Sequence, residues 1–297
     1  MCPERKLVKI SRNVYYIPGR TVVGVIVRDD WCMIVDTGID EDYGRRIANI
    51  VGEAGLKIRY IFNTHSHADH IGGNTMIIKK TGAMLLAPQI ESSLIENPVL
   101  EPILLYGSHP HRKLHSKFVM AHPSRVDKTL TEGFDRELNL GYVQLPGHSF
   151  NMFGLTVEDV FFTADSVFPE NLVSKFKIIY HFNVRESVKT LEKIKNSSYS
   201  IYVPSHSEPV SSISSMVESN LKSIYSVRKI IEEISEKAIS LEDLISTVLS
   251  ELGVVVETSY MYFLYSSALK SYISWLVDEG FLKEYLEDGK VMYVRVG

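Results

Sequence analysis

Three histidines and one aspartate are concentrated in the segment NTHSHADH, residues 63–70, directly after an apolar run. Side chains of an extended chain alternate between two faces, so His65 and His67 can point the same way. Asp69 and His70 follow where the chain turns into the next predicted helix. Imidazole and carboxylate groups are typical ligands of zinc and similar divalent ions. The spacing therefore predicts that this loop supplies two ligands to each of two neighbouring metal ions.

Three further residues of ligand type stand at the ends of later predicted strands. They are His148 in LPGHS, Asp165 in TADS and His206 in PSHS, and the strand that ends in TADS is predicted as the single segment GLTVEDVFFTADS. Taken singly, each has an ordinary interpretation: a turn histidine, a strand-end cap and a loop residue. Their repeated position at strand ends, in a chain that also contains the histidine loop, favours a common site.

Together these motifs resemble the metallo-β-lactamase superfamily, whose pattern is HxHxDH followed by a distant His, Asp and His. The resemblance covers roughly residues 7–210. It implies an αββα sandwich, with the site at one edge where loops of both sheets meet. By resemblance, the first metal is bound by His65, His67 and His148, the second by Asp69, His70 and His206, and Asp165 bridges the two.

Two other groups of polar residues have less direct interpretations. Asp36 in IVDTG has the position of a plain turn residue, but the resemblance implies an acid that holds the histidine loop in place, as metal sites generally require. A second set of histidines lies in the segment SHPHRKLHSKFVMAHP. Its members are His109, His111, His115 and His122. Their spacing fits no ligand set, so a solvated basic loop is favoured over substrate contact.

The elements that must position these residues alternate between strand and helix. Residues 7–36 predict successive strands, an acidic start near Asp40 predicts a helix that ends at a glycine, and the strand IRYIF leads into the histidine loop. A helix and a strand follow at residues 74–88. This order predicts a layered α/β domain. Residues 88–124 interrupt the order and predict a loop or helical insertion beside the site.

The C-terminal part has a different pattern. We expect a catalytic domain at residues 1–211, a helical connector at 212–238 and a winged-helix domain at 239–297 with three helices and a hairpin around Asp288 and Gly289. Residues 239–297 contain four basic and nine acidic residues, a net charge of −5. A face that binds nucleic acid should be basic, so a packing or substrate-shaping role is favoured over nucleic-acid binding.

Composition restricts the class of protein. The 297 residues are 45% hydrophobic and 23% charged with a net charge of −4, typical of a globular chain that binds neither polyanions nor membranes through its overall charge. The two cysteines are expected to be reduced thiols. Charged residues near the start argue against a signal peptide, and no apolar window approaches the ~20 residues of a membrane span. The expected location is the cytoplasm.

A pair of divalent ions, zinc first with iron or manganese as alternatives, makes hydrolysis the expected reaction. A metal-bridged hydroxide, oriented by Asp69, would attack the carbonyl of an ester, thioester or lactone. The chain resembles the lactamase-β-like 2 and glyoxalase II-like group, which includes endoribonucleases active on single-stranded RNA. Single-strand RNA cleavage at the same site and a mononuclear iron persulfide dioxygenase are therefore the alternatives. The expected partner is a small-molecule substrate, single-stranded RNA is the second candidate, and a homo-oligomer is left open.

Overall fold

The computed structural model describes residues 6–296. Two β-sheets stack face to face and carry helices on their outer faces, which is the αββα sandwich predicted from the motifs. The first sheet has seven strands in chain order: β1 Val8–Lys9, β2 Val14–Ile17, β3 Val23–Arg28, β4 Trp31–Val35, β5 Lys57–Phe62, β6 Met84–Pro88 and β7 Lys128–Leu130. Strands β1 to β4 pair antiparallel and β4 to β7 pair parallel.

The second sheet has five strands in the order β12-β11-β10-β9-β8. They are β8 Gly133–Asp135, β9 Leu140–Gln144, β10 Phe153–Val157, β11 Val160–Ala164 and β12 Ile201–Pro204. The segment GLTVEDVFFTADS, predicted as one strand, is instead the hairpin β10–β11, which turns at Glu158 with a φ of 53°. The short strands β7 and β8 were not predicted, because three residues are too few to show a period.

Ten α-helices complete the described chain. They are α1 Glu41–Glu53, α2 Ala68–Ile71, α3 Asn74–Thr81, α4 Gln89–Glu96, α5 Leu100–Tyr106, α6 Glu170–Phe176, α7 Val184–Lys195, α8 Ser214–Ile234, α9 Leu241–Glu251 and α10 Ser259–Asp278. Helix α1 begins as predicted, because the Asp40 side chain accepts a hydrogen bond from the Tyr43 backbone N–H at 3.0 Å. Helices α1 and α3 cover the first sheet, whereas α7 and α8 lie on the side of the second.

Strand β4 shows why the sequences of the central strands are apolar at nearly every position. Met33 and Val35 belong to the core between the two sheets. Cys32 and Ile34 point to the other side and pack in the core beneath α1 and α3. A strand buried on both faces needs apolar residues at every position. Cys32 is a free thiol whose pKa burial raises to about 12, and the other cysteine, Cys2, lies outside the described residues.

The insertion at residues 88–124 is partly helical and lies beside the site, as predicted. It contains α4, α5 and a 3-10 helix at Arg112–Leu114. The insertion packs on α10, with the rings of Tyr106 and Phe263 centred 4.9 Å apart. The sandwich edge is therefore covered by two segments from outside the sheets.

The C-terminal part differs from the prediction in one helix. The second and third of the three helices expected in residues 239–297 form the single helix α10, because neither glycine nor proline interrupts its 20 residues. The predicted hairpin around Asp288 and Gly289 is confirmed by strands β14 Leu282–Glu287 and β15 Lys290–Arg295, which β13 Ile239–Ser240 joins. Helix α8 shares one apolar core with α7, α9 and α10. The division into domains stays a prediction.

Of the helices in residues 6–296, none is both long enough and apolar enough to cross a membrane.

Candidate metal centre

All seven residues predicted as ligands converge at one edge of the sandwich. Each follows a strand: the histidine loop comes after β5, His148 after β9, Asp165 after β11 and His206 after β12. In the second sheet β9, β11 and β12 run in the same direction, so their carboxyl ends lie at one edge, where loops can gather side chains from distant parts of the chain. Ligand-type atoms of these residues form groups within 4.8 Å of one another.

The first cluster contains three histidines. The Nε2 atom of His65 lies 3.1 Å from Nδ1 of His67, and Nε2 of His148 lies 2.9 Å from the same Nδ1. His65 is fully buried and His148 is nearly so. Three ring nitrogens thus point at one small volume.

The second cluster contains Asp69, His70 and His206. The Asp69 Oδ2 atom lies 3.7 Å from Nε2 of His70 and 3.6 Å from Nε2 of His206. Asp69 also accepts a hydrogen bond from Thr21 Oγ1 at 3.3 Å. The Asp69 side chain is 37% exposed, so its carboxylate faces the solvent side of the cluster.

Asp165 lies between the two clusters. Its Oδ2 is 3.5 Å from Nε2 of His148 and 3.0 Å from Nε2 of His206, and its Oδ1 is 3.3 Å from Nε2 of His70. The backbone turns sharply just before it: β11 is irregular in its pairing with β12, and Ala164 has a φ of 50°. An irregular strand end of this kind redirects a side chain. Here it aims the carboxylate at both clusters.

Asp36 determines which nitrogens of two histidines carry protons. Its Oδ2 accepts hydrogen bonds from Nδ1 of His70 and from Oγ1 of Thr64, both at 2.8 Å. Because the Thr64 hydroxyl hydrogen is used in that bond, its oxygen accepts from Nδ1 of His65 at 3.0 Å. The Nε2 atoms of His65 and His70 are then lone-pair acceptors pointing inward.

The rings of the remaining histidines are also held by partners outside the two clusters. Nδ1 of His148 donates to the Tyr180 carbonyl oxygen at 3.0 Å, and Nδ1 of His206 donates to the Arg20 carbonyl oxygen at 2.8 Å. The outer nitrogen of His67, Nε2, lies 3.6 Å from a carboxylate oxygen of Glu101 in α5. Outer partners of this kind fix the ring orientation of metal-ligating histidines.

The interior of the site is rich in acceptors and poor in donors. Nε2 of His70 and Oδ1 of Asp165 are both buried, and neither makes a hydrogen bond with the described residues, although they lie only 3.3 Å apart. Buried polar atoms without partners are costly. Nitrogen and carboxylate lone pairs converging on a small volume are the ligand set of divalent cations. The residues present therefore fit divalent metal ions.

The charges of the site divide the histidines into two kinds. Burial, reinforced by neighbouring histidines, lowers the pKa of His65 and of His148 well below the ordinary value. Burial also opposes the charge on His70 and His206, but the surrounding carboxylates, Asp165 foremost, raise the pKa of His70 well above its ordinary value and that of His206 to about 9. In the metal-free protein, a proton beside Asp165 thus takes the place of a cation.

Glu91 in α4 is a site residue that the sequence did not indicate. It is fully buried, and its Oε2 accepts hydrogen bonds from the backbone N–H and the hydroxyl of Ser66, at 3.0 and 2.6 Å. Its Oε1 accepts from the Ser149 hydroxyl at 2.7 Å and from the Asn151 backbone N–H at 2.8 Å. One carboxylate therefore ties the histidine loop to the loop of His148. A single acid in a predicted insertion carries no sequence signal for this role.

A cavity of about 160 Å³ opens directly beside both clusters. Its lining residues are His67, Ala68, Asp69, Glu101, Leu105, Phe118, Val119, His148, Asp165, Tyr180, Tyr260 and Leu264. The insertion and α10 thus build part of its wall, and burial raises the pKa of Glu101. The histidines of the insertion, His109, His111, His115 and His122, are exposed and do not line the cavity.

Comparison with known proteins identifies a matching family model and several relatives that align with only part of the chain. The model of the metallo-beta-lactamase superfamily matches residues 16–206. A hydroxyacylglutathione hydrolase of Shewanella pealeana is 28% identical over 132 residues, which are 44% of this chain and 41% of that protein. Another, of Erythrobacter litoralis, is 43% identical over 51 residues, which are 17% of this chain and 20% of that protein. The chain thus spans about two-fifths or less of the length of the curated relatives it matches.

Two solved structures share the fold over nearly the whole chain. A metallo-beta-lactamase family protein from Thermus thermophilus is 16% identical with a TM-score of 0.73, covering 96% of this chain and 99% of that one. A beta-lactamase domain protein from Burkholderia ambifaria is 17% identical with a TM-score of 0.75, covering 98% and 93%. At this identity the likeness concerns the fold alone.

Proposed function

The chain belongs to the metallo-beta-lactamase superfamily, and from this premise we propose that it is a dinuclear metal-dependent hydrolase of ester, thioester or lactone carbonyls. The observation that carries the proposal is the arrangement of inward-facing lone pairs. Two clusters of three ligand-type residues lie side by side, and the carboxylate of Asp165 faces both. A single ion would leave one of these clusters without a purpose.

The proposed ligand sets follow the two clusters. One ion would be held by His65, His67 and His148 and the other by Asp69, His70 and His206, with Asp165 between the two clusters as a further ligand. When bound, a pair of divalent ions, most simply zinc, would lower the pKa of a coordinated water far below its bulk value, to about 7, and polarise the oxygen of the scissile group.

The protein's own groups orient the reactants. Asp69 faces the cavity and is partly exposed, so its carboxylate can accept a hydrogen bond from the attacking water and direct the oxygen lone pair at the carbonyl carbon. Asp36 and Glu91 hold the histidine loop from behind through five hydrogen bonds to backbone and side-chain donors of Thr64, Ser66 and His70. The site is thereby prearranged before substrate binds.

Carbonyl hydrolysis is favoured over the alternatives by three observations. The relatives reported above are named hydroxyacylglutathione hydrolases, which favours an acyl substrate over a phosphodiester. The net charge of −5 at residues 239–297 argues against strong binding of RNA. A mononuclear iron dioxygenase would use one cluster and leave Asp69, His70 and His206 as a second set of converging lone pairs without an ion.

Metal content and a substrate panel test the proposal together. We expect elemental analysis to find about two divalent ions per chain and the loaded protein to hydrolyse esters or thioesters. His67→Ala should lose metal and activity, whereas His122→Ala, which removes an exposed histidine of the insertion, should keep both. Protein that takes up no metal would contradict the proposal. So would one bound iron with oxygen consumption, or RNA cleavage with a steep salt dependence.

A further inference from the structure

We infer that the cavity beside the metal centre is an acyl pocket for a short, uncharged, apolar acyl group, and that side chains of α5 and α10 limit its length. The inference rests on the proposed function and adds to it a class of substrate. It also gives a purpose to the two segments outside the sandwich, because neither segment contributes a residue to the two ligand clusters.

The cavity has a polar floor and an apolar wall. The floor is formed by residues of the two clusters: His67, Asp69, His148 and Asp165. The wall is formed by Leu105 of α5, by Phe118 and Val119 of the insertion, by Tyr180, and by Tyr260 and Leu264 of α10, together with the acidic Glu101 of α5. A carbonyl placed at the floor therefore directs one of its two substituents against apolar and aromatic side chains, which favours an apolar acyl chain.

The charges of the wall exclude an anionic acyl group. In the described part of the chain, none of the residues that line the cavity is a lysine or an arginine. Lys117, the neighbour of Phe118 in sequence, is paired with Asp40 at 2.9 Å. The acid of the wall, Glu101, would meet a second carboxylate without any cation of the wall to compensate it. Burying an anion without a partner is costly, so a terminal carboxylate on the acyl group should be rejected.

The volume sets an upper limit on the acyl group. The cavity of about 160 Å³ has the volume of about five water molecules in the liquid, which accommodates an acyl chain of about four to six carbons. Each buried methylene should raise kcat/KM roughly fourfold until the wall is reached.

The wall is fixed to the rest of the molecule, so the limit on length should be sharp. Helix α10 is bound at several points: the Ser271 hydroxyl accepts from the Val184 backbone N–H at 2.9 Å, and the Tyr265 hydroxyl donates to the Phe176 carbonyl oxygen at 3.4 Å. Leu105 is 8% exposed and packs within this wall, whereas its neighbour Leu104 on the same helix is 47% exposed. The pair therefore offers a lining residue and a matched control.

The experiment compares acyl chains on one leaving group. Metal-loaded protein is assayed with 4-nitrophenyl or thiophenyl esters of acetate, butyrate, hexanoate and octanoate, and with the matching half-ester of succinate. We expect kcat/KM to rise about fourfold per methylene from acetate to butyrate, to stop rising near hexanoate, and to be lower by at least tenfold for succinyl than for butyryl. A profile that is flat, or that favours succinyl, overturns the inference.

Two variants test which residues set the limit. Leu105→Ala and Leu264→Ala enlarge the cavity and should move the optimum to longer chains by at least one two-carbon step, whereas Leu104→Ala should leave the profile unchanged. Leu264 is only half-buried, so its replacement by alanine should destabilise the protein less. Leu264→Ala therefore provides the test if Leu105→Ala fails to fold. The same shift in the Leu104→Ala control, or no shift in either lining variant, overturns the inference.

Binding separates this inference from the proposed function. Alkyl hydroxamates of the same chain lengths are titrated calorimetrically into the loaded protein, alongside the assays. If no ester is hydrolysed, carbonyl hydrolysis is wrong, but tighter binding of butyryl than of succinyl hydroxamate still supports an apolar pocket. If esters are hydrolysed and the hydroxamates bind without regard to chain or charge, the hydrolase stands and the acyl pocket is wrong.

Discussion

Replacing Glu91 by glutamine gives the sharpest test of how the metal centre is held together. Each oxygen of the Glu91 carboxylate accepts one backbone N–H, from Ser66 on one side and from Asn151 on the other. A glutamine side chain has one oxygen and one NH₂ group. Whichever way the amide is turned, its NH₂ faces one of these two backbone donors, and a backbone N–H cannot become an acceptor.

The size of the effect follows from the bonds that change. One buried backbone donor loses its acceptor, which costs about 1–3 kcal/mol. One or two of the remaining hydrogen bonds persist, but their acceptor is now neutral rather than charged. Each of these bonds should be weaker by roughly 1 kcal/mol. The free energy of unfolding of metal-free Glu91→Gln should therefore fall by about 2–5 kcal/mol, and Tm by roughly 4–15 °C. Because Ser66 stands between two proposed ligands and Ser149 follows a third, metal affinity should fall about 10–100-fold.

Glu96→Gln is the matched control. Glu96 lies in the same helix, is exposed, and accepts a backbone N–H from Val126 at 3.0 Å, far from the ligand loops. It should change stability by less than about 0.5 kcal/mol. The assays are denaturant unfolding of the metal-free proteins and competitive zinc titration with a chromogenic chelator. If Glu91→Gln binds zinc as tightly as wild type and unfolds like the control, the two loops do not depend on this carboxylate and the reasoning fails.

Three further predictions concern the metals and their ligands. Asp36→Asn should reduce the ions bound per chain, counted by elemental analysis, because an amide cannot accept from His70 Nδ1 and from both Thr64 donors. Removing the metals with a chelator should lower Tm, and zinc at about 100 times its dissociation constant should restore about 2.7 kcal/mol of stability. For metal-free protein, Asp165 outweighs burial and raises the pKa of His206 from 6.5 to about 9. The stability that this pair contributes should therefore be complete below about pH 6.5 and be lost as the pH rises through about 9, measured as Tm from pH 6 to 10.

The residues of the two clusters could be predicted from the sequence because their signal is local. HxHxDH places four residues of ligand type within six positions, and each later residue of the set follows an apolar strand. The groups that support them gave no such signal. Glu91 contacts Ser66, 25 residues earlier, and Asn151, 60 residues later, so its role depends on a meeting of loops that only the fold brings about. The position of Glu101 in the cavity wall could not be predicted for the same reason, because only the fold brings α5 beside His67.

The errors in secondary structure have a related cause. The segment at residues 154–166 read as one strand because both arms of the β10–β11 hairpin are apolar and the turn between them is only Glu158 and Asp159. The helix α10 read as two because Ser266 and Ser267 interrupt its apolar pattern. Ser266 is in fact buried against the rest of the structure. In α10 the absence of glycine and proline lets the helix continue, and burial of Ser266 explains how a polar residue fits within its apolar face.

The positions of these groups imply that chemistry and selectivity depend on different parts of the chain. The proposed ligands all stand at the ends of strands of the sandwich, and the acids behind them hold rings and loops in place. The apolar wall comes largely from the insertion and α10, which meet each other through Tyr106 and Phe263. A change at Leu264 should therefore alter which acyl group is accepted while leaving the number of bound ions unchanged. A change at Asp36 should do the reverse, because its contacts all lie on the ligand side of the site.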